Sequence, residues 1–232
     1  MRRILWGLAA ALVIAPPAGA QTPGGRERAR AVLPAEAFDQ VDRVVAEAGQ
    51  AGLPVEPLWD KALEGAAKGV PAPRIAPAVT DFVGRLRTAR GALGPMQPDA
   101  ALVAAADALR RGVPAAALAG VAEPGGRTAT ALVVLADLVE TGVPVDRAVD
   151  VVREALARRT ADAEMYALSA RVRAAMREGQ SAGTAAEGLR RQIREGRPPA
   201  GRVPPTREPA APPAPPGSEP TRDPAPTRPR GG

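Results

Sequence analysis

The chain has 232 residues, 31 basic and 25 acidic side chains, and no Cys, His or Asn. This excludes disulfides, thiolate nucleophiles, Cys- or His-ligated metals, a Ser-His-Asp triad and an imidazole switch near neutral pH. Ala supplies 52 residues and there are five aromatics (Trp6, Phe38, Trp59, Phe82 and Tyr166), a composition that suits closely packed helices and suits a β-sandwich badly.

Arg2 and Arg3 open the chain, and Ile4 to Ala15 form an apolar run of 12 residues. Pro16 and Pro17 break that run, and Ala18-Gly19-Ala20 fits a small-x-small cleavage rule. Residues 1–20 therefore read as an export signal, too short to span a bilayer comfortably. A periplasmic or secreted mature chain is expected to begin at Gln21, with no membrane span after cleavage. Residues 21–33 read as a short polar linker.

Residues 34–195 show helical periodicity, and one phrase recurs within them: Gly69-Val70-Pro71, Gly112-Val113-Pro114 and Gly142-Val143-Pro144. Gly52-Leu53-Pro54 is a close variant, and Gly179-Gln180-Ser181 is a degenerate one. Gly tolerates the left-handed conformation that closes a helix, the next apolar residue packs back on the last turn, and Pro suits the first turn of the following helix, where its missing N–H is no loss. Each phrase is thus an elbow between two helices. Apolar residues keep register around the elbows: Trp59, Leu102 and Leu132 lie ten before each Gly-Val-Pro glycine, and Ala66, Leu109 and Val139 three before. Helices are expected near 35–50, 55–68, 72–90, 98–111, 114–122, 127–141, 144–159, 161–178 and 184–195, with a kink or restart at Pro77 and a break at Glu123-Pro124-Gly125-Gly126. The fold class is all-α, an irregular array or bundle of short helical hairpins.

From Gly196 on, 13 of 37 residues are Pro, so residues 196–232 read as a disordered, Pro/Arg-rich tail. Its five dispersed arginines after Pro199 (Arg202, Arg207, Arg222, Arg228 and Arg230) suit either a weak tether to anionic envelope polymers or a passive solubilising extension. Net charge is +4 over residues 1–30, −1 over 31–195 and +3 over 196–232. The basic character belongs to the ends, which argues against a nucleic-acid-binding fold.

The sharpest local feature is Leu58 to Ile75, which holds both lysines of the chain. Lys61, Glu64 and Lys68 share one helical face. Gly65 weakens the helix there by about 1 kcal/mol relative to Ala and would permit close approach of another backbone. The segment reads as a recognition surface of Trp59, Lys61, Glu64, Lys68 and Arg74, or else as a solvated face with a Glu64–Lys68 pair. The pattern Leu-x-x-Lys-x-x-Glu-Gly-x-x-Lys-Gly-Val-Pro-x-x-Arg-Ile resembles a phrase of uncharacterised exported bacterial helical proteins. That resemblance covers about 18 residues, carries no activity with it and assigns no site.

Catalytic, cofactor and metal sites are not expected. The three serines (Ser169, Ser181 and Ser218) lie outside any Gly-x-Ser-x-Gly elbow, and no phosphate-binding or calcium loop occurs. The expected function is a non-catalytic scaffold or interaction protein of the bacterial cell envelope, with an envelope protein or anionic surface polymer as partner. The other readings are a periplasmic chaperone-like holdase and a carboxylate-dependent enzyme on cell-wall glycans.

Overall fold

Each Gly-Val-Pro phrase closes one helix and opens the next. A computed structural model describes residues 24–123 and 126–196; the expected export signal and the tail from residue 197 lie outside the described residues. Within them the regular structure is helical: α1 (Gly25–Val32), α2 (Ala35–Gln50), α3 (Glu56–Ala67), α4 (Ala72–Leu93), α5 (Asp99–Arg110), α6 (Ala115–Leu118) running into a 3-10 turn (Ala119–Val121), α7 (Thr128–Glu140), α8 (Val145–Ala157), α9 (Asp162–Tyr166), α10 (Leu168–Arg177) and α11 (Ala182–Arg194). No strand occurs among the described residues. No helix there is long and apolar enough to cross a membrane.

The elbows share one geometry. Gly52, Gly69, Gly112, Gly142 and Gly179 have φ between +68° and +95°. The following amide then donates to the carbonyl five residues back: Leu53 to Ala48, Val70 to Gly65 and Val113 to Ala108 at 3.0 Å, Val143 to Leu138 and Gln180 to Ala175 at 3.1 Å. This is the Schellman closure, which satisfies a carbonyl that the helix end would leave free. Pro71, Pro114 and Pro144 stand just before their helices, not inside the first turn, with φ of −52°, −64° and −54°. Their carbonyls accept the first helical bonds, from Arg74, Ala117 and Ala148. Two arginines from elsewhere in the chain finish elbow carbonyls: Arg90 of α4 donates to Ala51 and Gly52, and Arg127 to Thr160.

Packing passes from each unit to the next. α1 lies on α3, α2 and α3 lie on α4, α4 on α5 and α6, α5 on α7, α7 on α8, α9 and α10, and α11 on α8 and α10. Residues 101–118 and 131–148 have the same burial at each corresponding position, 30 residues apart. Within those spans Ala101-Leu102-Val103 and Ala131-Leu132-Val133 match, as do Asp107 and Asp137. The last unit departs from this pattern. Where the preceding unit buries Ala136, Val143, Val151 and Ala155, it carries Arg173, Gln180, Gly188 and Gln192, none of them buried. A polar outer face of this kind ends an array.

Three expectations are corrected, and one elbow lies outside the recurring phrases. Residues 25–32 are a helix and not a linker, because Ala29 and Leu33 are buried in the core and Arg26 forks onto Asp42 with bonds of 2.7 and 2.8 Å. α4 runs through Pro77 without a restart, since that proline lies near the helix start and deprives only the carbonyl of Pro73 of its partner. The expected 161–178 helix is two, interrupted at Ala167. A sixth elbow joins α8 to α9, with Arg159 at φ +53° in the glycine position and the Thr160 amide donating to Ala155 at 2.9 Å.

The Arg159 side chain makes no hydrogen bond or ion pair among the described residues to offset its left-handed conformation. Arg159→Gly is therefore expected to stabilise the fold by about 0.5–1 kcal/mol, while Gly142→Ala, at φ +95°, destabilises it by about 1–2 kcal/mol. Thermal unfolding of the two variants against the parent checks both signs.

Candidate functional site

α3 begins with Glu56-Pro57 in its first turn, which suits proline, and its buried stripe is Leu58, Trp59 and Ala62. The opposite face carries the charges. Lys61 Nζ donates to Glu64 at 2.9 Å, and Lys68 reaches the same carboxylate. Hydrogen bonding from Lys68, then from Lys61, lowers the Glu64 pKa to about 2. All three side chains are at least one-third exposed.

Trp59 does not belong to that surface. It is 3 % exposed and stacks on Phe38, with ring centroids 5.8 Å apart at 17°. α1 covers it: a Cβ on Gly25 would come within 2.7 Å of Trp59 Cβ, so only glycine permits the approach. Arg26 and Arg30 of α1 sit over the Phe38 ring at 5.6 and 5.3 Å. The aromatic pair is the anchor of the N-terminal end and not a contact residue. Gly65 likewise meets only the Ile75 side chain, at 3.5 Å, and no backbone. Arg74 is exposed in the first turn of α4 without an ion pair among the described residues.

What the structure does bring to Lys61 and Glu64 is a groove of about 560 Å³ between α3, α4 and α5. Pro57, Phe82, Val103 and Ala106 give it apolar lining. Its carboxylates are all paired: Asp60 with Arg28 at 3.3 Å, Glu64 with both lysines, and Asp107 with Arg110 at 2.7 Å. Arg85 also lines it, with its guanidinium 5.9 Å from the centre of the Phe82 ring. A second depression of about 460 Å³ shares Pro57, Val103 and Asp107 with the first and extends across α7 to Tyr166, by way of Thr130 and Val133. The Tyr166 hydroxyl donates to Thr130 at 3.4 Å.

Comparison with family models, with curated proteins and with solved structures gives no match. The site thus stands on its geometry alone. Among the described residues no group of three or more Asp or Glu side chains is placed to hold a metal ion.

Behind the groove, Arg111 ties two units together. Its side chain is 11 % exposed, with Nε donating to Glu140 at 3.1 Å and Nη2 to Asp137 and Glu140. Burial opposes its charge, but the bonds to Asp137 and Glu140 outweigh that, and its pKa is raised. Lys68 is the corresponding residue one unit earlier, 43 positions before, yet it is 68 % exposed and bonds only within α3. The same sequence position is therefore a cross-unit clamp in one place and a surface ion pair in the other.

Arg111→Ala is expected to cost about 2 kcal/mol, since it strands Asp137, whereas Lys68→Ala costs under about 1 kcal/mol and less in high salt. Urea unfolding at low and high ionic strength separates the two. Glu64 binds its proton less readily folded than unfolded, so it contributes stability above pH 4.5 that fades as pH falls toward about 2. Glu64→Gln should flatten stability against pH in that window and leave the slope above pH 5 unchanged. Because the carboxylate is exposed, the difference stays within about 1 kcal/mol.

Proposed function

We propose that the protein is a non-catalytic, exported helical scaffold of the bacterial cell envelope that binds a partner on the face formed by α3, α5 and α7. The observation that carries this reading is the pair of depressions that share Pro57, Val103 and Asp107 and so form one elongated surface across three units. Arrays of helical hairpins commonly bind along such surfaces, because each unit presents the same register to the ligand. Val103 and Val133, 30 residues apart, are half-buried side chains of this kind. Export rests on the sequence of residues 1–20.

The large apolar side chains exposed among the described residues are Val32, Val55, Met96, Tyr166 and Met176, dispersed over separate elements. A holdase would use a broad continuous patch, and nothing in this distribution favours that reading.

In-cell photo-cross-linking tests the proposal. A photoreactive residue replacing Val103 or Val133 is expected to give a discrete adduct in the extracytoplasmic fraction. The same residue replacing Arg153, exposed on α8 outside the groove, is expected to give none. Equal adducts from all three positions, or adducts confined to the cytoplasm, would contradict it.

A further inference from the structure

We propose that the groove between α3, α4 and α5 takes an extended peptide segment bearing a carboxylate, and that the carboxylate pairs with Arg85. This rests on the binding face described above and names the chemistry of its ligand.

The first support is charge. Asp60, Lys61, Glu64, Asp107 and Arg110 line the groove, and each is held in an ion pair. Arg85 lines it too; its side chain makes no hydrogen bond or ion pair within the described residues, and its Nε is buried without a partner. Arg85 is half-buried, and its Nε lacks the acceptor that would offset lost hydration. Its one contact of note is the Phe82 ring, 5.9 Å from the guanidinium carbon, and among the described residues nothing competes with an incoming carboxylate for its fork. The carboxylates nearby do not repel a ligand strongly, because each is already neutralised.

The second support is shape. The apolar surface continues from Phe82 over Val103 to Val133 and Tyr166. Packed helices lie about 8–10 Å apart, and three residues of an extended polyproline-type chain rise about 9 Å. A segment of that kind can place one apolar side chain against Val103 and the next, three residues on, against Val133. A compact anion would use Arg85 alone and leave this length of groove empty.

Random dodecamer peptides displayed on phage, selected on the full chain, test the proposal. Enriched peptides are expected to carry Asp or Glu beside apolar residues. Arg85→Gln in the protein, or neutralising the acidic residue in a synthesised peptide, should each weaken binding about ten- to hundredfold. Both changes together should weaken it little more than one, the mark of a direct pair. Arg85→Lys should recover part of the loss, since it keeps the charge and loses the fork. Arg85→Gln should unfold within a few degrees of the parent, because only the contact with the Phe82 ring is lost and no hydrogen-bonded or ion-paired partner. Enriched peptides without an acidic residue, binding indifferent to Arg85→Gln, or no enrichment would overturn the proposal. Arg85-dependent binding of dextran sulfate with no peptide enriched would assign the groove to an anionic polymer and overturn the peptide. Neutral peptides that block cross-linking at Val103 would remove the carboxylate and leave the binding face standing.

Discussion

Where one helix of this chain turns directly into the next through a glycine elbow, a residue with positive φ reverses the backbone, and the amide after it reaches five residues back to a helix carbonyl. That hydrogen bond fixes the exit direction of the chain. At three of the elbows it also buries the residue that donates it: Leu53, Val113 and Val143 are each under 5 % exposed, while Val70 is half-buried and Gln180 exposed. At those three elbows closure and burial coincide. With proline immediately after, φ is preset and few other paths remain. An Ala-rich chain needs this constraint, because each alanine buries little area and the helices must approach closely to gain from packing. The core shows the result in runs such as Ala104-Ala105-Ala106 and Ala136, Ala148 and Ala155 beside Leu132, Leu135 and Leu138.

Repetition and its interruption then determine which surfaces are available. The units at 101–118 and 131–148 present the same burial pattern and so put Val103 and Val133 in equivalent, partly exposed positions. At the N-terminal end α1 closes over the Phe38–Trp59 stack. At the C-terminal end polar residues replace the buried ones of the earlier unit, and cross-helix ion pairs tie α11 to α8, among them Arg190 to Asp150 at 2.8 Å and Arg194 to Glu154 at 3.4 Å. With both ends closed, the shared groove over α3, α5 and α7 is the face on which the proposed function rests.

The elbows and most helix limits were legible in the sequence because glycine, valine and proline each have a local mechanical role. α2 matches its expected range, and α5 and α7 differ from theirs by one residue at each end. What escaped was set by tertiary contact. The Arg-rich sequence of α1 looks polar, and only its packing on Trp59 makes it part of the domain; the signal was the small residues Gly25 and Ala29 four apart, with Leu33 four further on. The α8–α9 elbow carries Arg159 in place of glycine, so the phrase was invisible. Of the five residues singled out at the start, Lys61 and Glu64 line the groove and Lys68 bonds to Glu64. Trp59 is buried, and Arg74 is apart from the groove. Arg85, Phe82 and Val103 come from other helices, and no spacing within α3 could point to them. The 30-residue correspondence of Val103 with Val133 was the one available sign.

The account depends on the backward hydrogen bond at the elbows, and amide hydrogen exchange at Leu53, Val113 and Val143 measures it residue by residue. Protection there comparable to the interiors of α5 and α7 is the predicted result. Exchange at the rate of an open loop, with the flanking helices still protected, would contradict it.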